Sequence, residues 1–386
     1  MRILGRGKTA LAIQKLYPNT ILYDNDDFDK FDKKSEELTI VSPGIPPHNK
    51  LVKNTLNLIS EYDLFCEVMP YSIWISGTNG KTTTTRMLQH LLKDHGSICG
   101  GNIGTPLSSM NKYEKIWILE TSSFMLHYTK KAKPNIYVLL PINDDHLSWH
   151  GSFEEYEKSK LKPLKFLKEG EIAIVPSKYK EYPTNGYKIY YDDISTLEKV
   201  FNLDSKLINL QEPFMLDALL SLAVTRILFD EVDYKKINTF KQDSHKLEKF
   251  YDNKNRLWID DSKATNIDAT IQALKSYKNH KIYLILGGDD KGANLNVLFD
   301  ELVKYDITLF SIGLNANKLN ELSVEFNIKC YVSNILENAI ISIYNNKEFN
   351  IDNCVALLSP SAASLDQFSS YKHRGEMFKA VVRSLS

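Results

Sequence analysis

Ile73-Trp74-Ile75-Ser76-Gly77-Thr78-Asn79-Gly80-Lys81-Thr82-Thr83 runs from an apolar strand through a glycine-containing turn into Gly-Lys-Thr and a helical pattern that continues to Lys93. Backbone N–H groups of such a turn, backed by a helix N-terminus, form a nest for a polyphosphate. Gly77, Thr78, Asn79 and Gly80 then shape the loop, Lys81 meets the β- and γ-phosphates, the Thr82 hydroxyl holds Mg²⁺, and Thr83 continues into the helix. The spacing departs from GxxxxGK[ST], because Ile75 holds the first glycine position and Gly77 comes two later. An ordinary strand–turn–helix corner is the bland alternative. The strand before it and the helix after it favour a nucleotide site.

Working outward, short apolar runs alternate with longer amphipathic segments. Ile116–Leu119, Ile136–Leu140, Ile172–Val175, Leu257–Ile259, Ile282–Leu286, Ile307–Ile312 and Val355–Leu358 read as buried strands. Thr83–Lys93, Ser262–Ser276 and Leu295–Lys304 read as helices. This alternation predicts an α/β fold with mostly parallel sheets. A boundary near 67–71, just before a new strand, and a polar stretch near 238–243 divide the chain into segments 1–69, 70–241 and 242–386. The first is small for an independent domain and must lean on its neighbour.

Composition narrows the function classes. The 386 residues, 43% hydrophobic and 25% charged, can bury a full core. Lys+Arg and Asp+Glu number 48 each, so the bulk charge gives no support for nucleic-acid binding. The four cysteines form no CxxC pair and read as reduced thiols. No apolar run approaches the roughly 20 residues that span a bilayer, and no leader pattern opens the chain. A soluble, cytoplasmic protein without a membrane partner is expected. With no heptad or exposed apolar run, a monomer is the default.

Further motifs surround the first. Leu4-Gly5-Arg6-Gly7-Lys8-Thr9-Ala10, with Asp24 about 20 positions on, resembles a Rossmann fingerprint and alone suggests NAD; a nucleotide-diphosphate site is the stronger reading. Glu120 ends a strand beside the glycine turn, where a carboxylate is placed for Mg²⁺. Asn143-Asp144-Asp145-His146 follows the next strand. His146 and His150 have a zinc-ligand spacing, but Leu147 stands where HExxH has its glutamate, so His146 reads better as a metal or phosphate contact at an ATP site. Lys160 lies in a stretch rich in Glu and Lys and on composition is a solvated lysine. Asp260-Asp261-Ser262-Lys263-Ala264-Thr265-Asn266 caps a strand and opens a helix. Leu286–Gly292 repeats that theme, so Lys263 and Lys291 would frame an anion pocket; structural caps are the alternative.

These stretches, with GGNIGTP (100–106), ETSSF (120–124), DSKATN (261–266), LGGDDKG (286–292) and SPSAASLDQF (359–368), resemble the Mur ligases across nearly the whole chain. The ATP motifs are shared with folylpolyglutamate synthases; the three C-terminal motifs resemble the branch that adds D-glutamate. The resemblance implies three domains: N- and C-terminal Rossmann-like domains flanking a central P-loop ATPase. It implies ATP, two Mg²⁺ sites, and the substrates UDP-N-acetylmuramoyl-L-alanine and D-glutamate. Thr9 and Asp24 would hold uridine and Asn102 the muramoyl substrate. Lys81, Thr82 and Glu120 would serve ATP and the first Mg²⁺, and His146 the second, with His146 also a candidate base. The resemblance alone singles out Lys160, as the lysine whose amine carries CO₂ as a metal-binding carbamate. Lys263, Thr265, Lys291, Ser364, Leu365 and Tyr371 would hold D-glutamate; Asp217, Lys246 and Asp261 would serve the nucleotide.

Departures accompany the likeness. Asp217 stands where the family has an adenine-contacting asparagine, and Lys246 follows His245 where arginine is common. Lysine cannot reproduce arginine's planar fork. Tyr371 stands where phenylalanine is expected, and the first domain is short. A sibling ligase adding another amino acid, or a P-loop binding module without turnover, are the alternatives to D-glutamate addition.

Overall fold

The computed structural model describes every residue except 211, 350, 351 and 386. Its first sheet comprises β1 (Arg2–Leu4), β2 (Ile21–Tyr23), β3 (Thr39–Val41) and β4 (Leu58–Ile59), parallel and in the order β2-β1-β3-β4. The second comprises β5 (Tyr71–Ser76), β6 (Ser97–Gly101), β7 (Ile116–Glu120), β8 (Ile136–Leu139), β9 (Ile172–Pro176) and β10 (Tyr187–Tyr191). It too is parallel, in the order β10-β9-β8-β5-β7-β6. Both lie in one compact unit, Met1–Phe240.

Lys241–Ser386 forms another unit around the third sheet. Its strands are β11 (Glu248–Tyr251), β12 (Leu257–Asp260), β13 (Lys281–Gly287), β14 (Ile307–Ile312), β15 (Lys329–Asn334) and β16 (Cys354–Leu358), in the order β11-β12-β16-β13-β14-β15. Only β11 pairs antiparallel. The α/β, mostly parallel architecture expected from the alternation is what the chain forms.

Both faces of the second sheet's central strands are covered, which is why Ile73-Trp74-Ile75 and Ile136-Tyr137-Val138 read as unbroken apolar runs and are fully buried. Each large side chain so buried contributes about 1.5–3 kcal/mol. The helix Phe214–Phe229 is apolar nearly all round and correspondingly buried against the helix Lys81–Leu92. The first sheet, with strands of two and three residues, does lean on the second: Ile3, Ile13 and Ile40 share a core with Trp74, Trp117 and Leu119.

Two helices start later or end sooner than their local sequence pattern suggests. The segment expected to be helical from Ser262 becomes so only at Ile267, where Asn266 caps the Ala269 N–H. The Ser262 hydroxyl is instead committed to the Tyr371 carbonyl at 2.8 Å and its N–H to Asp260 at 3.1 Å. The helix from Phe153 ends at Leu161, and a 3₁₀ turn with Pro163 near its start continues to Phe166. Proline there removes the donor an α-helix needs. Among the described residues no helix is long and apolar enough to cross a membrane.

Candidate active site

β5 delivers the glycine turn to the carboxyl edge of the second sheet, where ligands collect in open α/β folds. Gly77 (φ +142°) and Gly80 (φ +81°) adopt backbone that L side chains rarely take. A Cβ on Gly77 would lie 2.5 Å from that of Leu140, and one on Gly80 2.3 Å from an Asp217 oxygen, so the turn closes only with glycines. Thr78 anchors it: its N–H donates to Pro141 O (3.0 Å), and its hydroxyl bonds Asn143 and the Tyr156 hydroxyl at 2.9 Å. Gly80 opens the helix Lys81–Leu92 and no side chain caps it, so the N-terminal dipole faces the turn. Asn79, Lys81 and Thr82 are half-buried and Thr83 is buried behind them. Lys81 Nζ donates to Thr78 O at 2.6 Å, arched over the loop. Asp217 lies behind the turn, buried, accepting from Thr84 Oγ1 at 3.1 Å.

Glu120 ends β7 one strand away, in register with Ile75. Its side chain is buried; Oε1 accepts from Asn102 Nδ2 at 2.7 Å, while Oε2 is buried with no partner. An unpaired buried carboxylate oxygen is costly, and a divalent cation is the partner that oxygen chemistry favours. His146 (φ +54°) opens the one-turn helix Leu147–His150, edge-on to Phe124 at 4.7 Å and 3.6 Å from an Asp145 oxygen. The unpartnered Glu120 oxygen is the feature here that fits a divalent cation.

Lys160 corrects the compositional reading. It is 1% exposed, not solvated. Nζ donates to Gly77 O at 2.6 Å and lies 4.7 Å over the Tyr156 ring. Burial, and after it the charge of Lys81, hold its amine well below the ordinary lysine range. A lysine amine that gives up its proton easily is a nucleophile, as carbamate formation requires.

In the first sheet, the Gly5–Thr9 turn and Asp24 meet at the carboxyl ends of β1 and β2, with Gly5 N donating to Tyr23 O at 2.7 Å. Thr9 is half-buried in the first turn of the helix Lys8–Leu16. Asp24 caps the 3₁₀ turn Asn25–Lys30.

In the unit Lys241–Ser386, the carboxyl ends of β12, β13 and β16 bring the C-terminal motifs together. Asp289 and Ala363 exchange N–H···O bonds of 3.0 and 2.9 Å, joining the loop that carries Lys291 to the one that carries Ser364. Ser364 is buried, Leu365 and Lys291 exposed, and Thr265 half-buried. Lys263 pairs with Asp243 at 3.5 Å, and Tyr371 begins the helix Tyr371–Ser384. Asp261 is buried, accepting from Ser359 Oγ (2.8 Å) and Leu247 N (3.2 Å), with the charge of Lys246 acting on it. His245, Glu248 and Asp260 could converge on a cation, but Lys379 already supplies one, 3.2 Å from Glu248 and 3.9 Å from Asp260.

Burial pushes the Asp261 carboxyl up from 3.8 to about 7. A folded-state value above the unfolded one means stability that is present below pH 4 and lost as pH rises through 7. Asp261→Asn removes that loss. The melting temperature of Asp261→Asn relative to the parent chain is expected to rise between pH 4 and 7 and then level off; a difference that does not vary with pH would contradict the burial argument.

A model of the Mur ligase middle domain matches residues 75–198, which contain the glycine turn, Glu120, His146 and Lys160. The UDP-N-acetylmuramoylalanine–D-glutamate ligase of Campylobacter jejuni subsp. jejuni serotype O:23/36 (strain 81-176) is 48% identical, over 95% of this chain and 90% of its own. That of Helicobacter pylori (strain J99) is 46% identical over 98% of both. The chain belongs to the Mur ligase family. Among solved structures, MurF ligase from Thermotoga maritima in complex with ADP shares the fold at a TM-score of 0.62 and 16% identity, covering 100% of this chain and 95% of that one.

Sequence reasoning missed several groups that this Mur ligase builds into its sites. Arg374 is buried, with Nε donating to Ser262 Oγ (2.9 Å) and Nη2 to the carbonyls of Ser262 (2.8 Å) and Ala362 (3.1 Å), so one guanidinium fixes two motif loops. Burial lowers it to about 10. Ser42, after β3, holds a buried hydroxyl without a partner against the Gly5 turn; the signal was the run Ser42-Pro43-Gly44. Tyr156, beside Thr78 and Lys160, had no signal beyond an apolar position on a polar helix.

Proposed function

We propose that this chain is an ATP-dependent ligase that joins D-glutamate to UDP-N-acetylmuramoyl-L-alanine by an amide bond, a step in peptidoglycan precursor synthesis. The observation that carries the chemistry is the P-loop flanked by a buried carboxylate with one unpartnered oxygen and by a buried lysine. The D-glutamate assignment is supported by relatives of that name matching over nearly full length.

A carboxylate is a poor acyl donor. An oxygen of the substrate's alanyl carboxylate attacks the γ-phosphorus of ATP, the bond to the β-phosphate oxygen breaks, and ADP leaves. The amine of D-glutamate then attacks the acyl phosphate carbonyl, and the tetrahedral intermediate collapses to the amide and inorganic phosphate. The glycine turn and Lys81 hold the phosphates and offset the charge on the transferring group. Thr82 and Glu120 would hold one Mg²⁺, and His146 with an anionic carbamate on Lys160 a second; the two ions would supply further positive charge. His146 is also the candidate base for the amine proton. Thr9, Asp24 and Asn102 hold the nucleotide-linked substrate; Lys263, Thr265, Lys291, Ser364, Leu365 and Tyr371 receive D-glutamate; Asp217, Lys246 and Asp261 serve the nucleotide. The work divides among segments 1–69, 70–241 and 242–386, in a cytoplasmic monomer.

ADP release, measured with the muramoyl nucleotide and Mg²⁺ while the amino acid is varied, tests the reading. D-glutamate is expected to support turnover and L-glutamate to give none. Turnover with another amino acid would reassign the substrate, and no turnover with any would refute a ligase.

A further inference from the structure

We propose that His150 is a positioning residue: with Ser123 it ties the turn that carries His146 to the strand end that carries Glu120, and so sets the spacing of the two groups assigned to metal. This rests on the reading of Glu120 and His146 given above. Ser123 opens the helix Ser123–Tyr128 just after Glu120. His150 closes the single turn that His146 opens, whose carbonyl accepts from the N–H groups of Trp149 (3.0 Å) and His150 (3.1 Å). The two side chains meet, His150 Nε2 to Ser123 Oγ at 3.0 Å, and both residues are buried. Phe124, next along the helix, stacks on Trp149 (4.5 Å) and lies edge-on to the His146 ring, so the helix start is the floor of the His146 turn.

An imidazole that only filled this space would be a poor choice. Its Nδ1 is buried with no partner, a desolvation cost that a phenyl ring would avoid. The Ser123 bond is what the imidazole offers in return. A parallel tie leaves the same helix one turn later: His127 Nδ1 lies 3.3 Å from Ser159 Oγ, on the residue before Lys160. The helix Ser123–Tyr128 thus braces both segments that face the P-loop.

Three readouts on the full chain test this: Mn²⁺ binding in the presence of ADP by paramagnetic resonance, the Mg²⁺ concentration giving half-maximal ADP formation, and thermal melting. Ser123→Ala and His150→Phe are each expected to weaken Mn²⁺ binding and raise the Mg²⁺ requirement about 10-fold, as loss of a partner behind a metal ligand does. The double variant should be no worse than either single one. His150→Gln, whose amide reaches the Nε2 position, should recover most of the loss. If His150→Phe does not fold, Ser123→Ala carries the test. Metal binding unchanged in Ser123→Ala, or strictly additive effects in the double variant, would overturn the proposal. A parent chain that binds no Mn²⁺ with ADP would sink the metal reading itself, and the proposal with it.

Discussion

Lys81→Ala is expected to lower ADP formation by about 10³-fold or more with little change in melting temperature. The magnitude follows from removing a cation aimed at a transferring phosphoryl group, where such charges are worth on the order of 10³–10⁵ in rate. A 10³-fold loss corresponds to about 4 kcal/mol of transition-state stabilisation. In the folded chain Lys81 is half-buried and Nζ donates to Thr78 O at 2.6 Å. Water can replace that donor, so the fold should lose only about 1 kcal/mol. Steady-state ADP release with all substrates saturating checks the rate, and a melting curve checks the fold. A rate within tenfold of the parent chain would remove Lys81 from the phosphoryl-transfer step.

Lys160→Met is expected to cost about 10²–10³ in turnover, the scale for losing one preorganised electrostatic group. Methionine fills the space of the buried stem while deleting the amine, so folding should survive. The donor to Gly77 O is lost in the same change, which adds a binding contribution. Bicarbonate separates the two. Depleting CO₂ from the buffers should slow the parent chain and leave the residual rate of Lys160→Met untouched, and ¹³C-bicarbonate should give a carbamate resonance only in the parent. A parent rate indifferent to CO₂, with no such resonance, would confine Lys160 to bracing the turn.

The legible parts of the fold were the strands buried on both faces. Every strand read from an apolar run in the second and third sheets is an interior one or lies next to an edge. The missed ones, β6, β10, β11 and β15, are the edge strands of those sheets. An edge strand keeps one side in water, so Tyr187-Lys188-Ile189-Tyr190-Tyr191 and Lys329-Cys330-Tyr331-Val332 mix polar and apolar residues and show no clean run. β3 and β4 were missed for brevity, since two or three residues set no period.

The site was legible where chemistry constrains the backbone and illegible where it depends on distant packing. The glycines of 77–80 and the carboxylate ending β7 announce themselves locally. Lys160 does not: its neighbours Glu157, Lys158 and Lys162 make the segment look solvated, and only the fold turns that one face onto Gly77 and Tyr156. Arg374 is similar, because the two loops it joins are 262 and 362, far from it or from each other in sequence. The Ser262 helix start failed for a third reason: good capping residues were spent on tertiary bonds, and Asn266 took the cap.

The central claim is that the substrate carboxylate is activated as an acyl phosphate before D-glutamate attacks. It is tested most directly by labelling the alanyl carboxylate of UDP-N-acetylmuramoyl-L-alanine with ¹⁸O and analysing the inorganic phosphate released with ATP, Mg²⁺ and D-glutamate. The account predicts one ¹⁸O per phosphate formed, because the oxygen that attacks phosphorus departs with it when the amine displaces phosphate. Amide product accompanied by unlabelled phosphate would contradict it, since the carboxylate would then have been activated in another way.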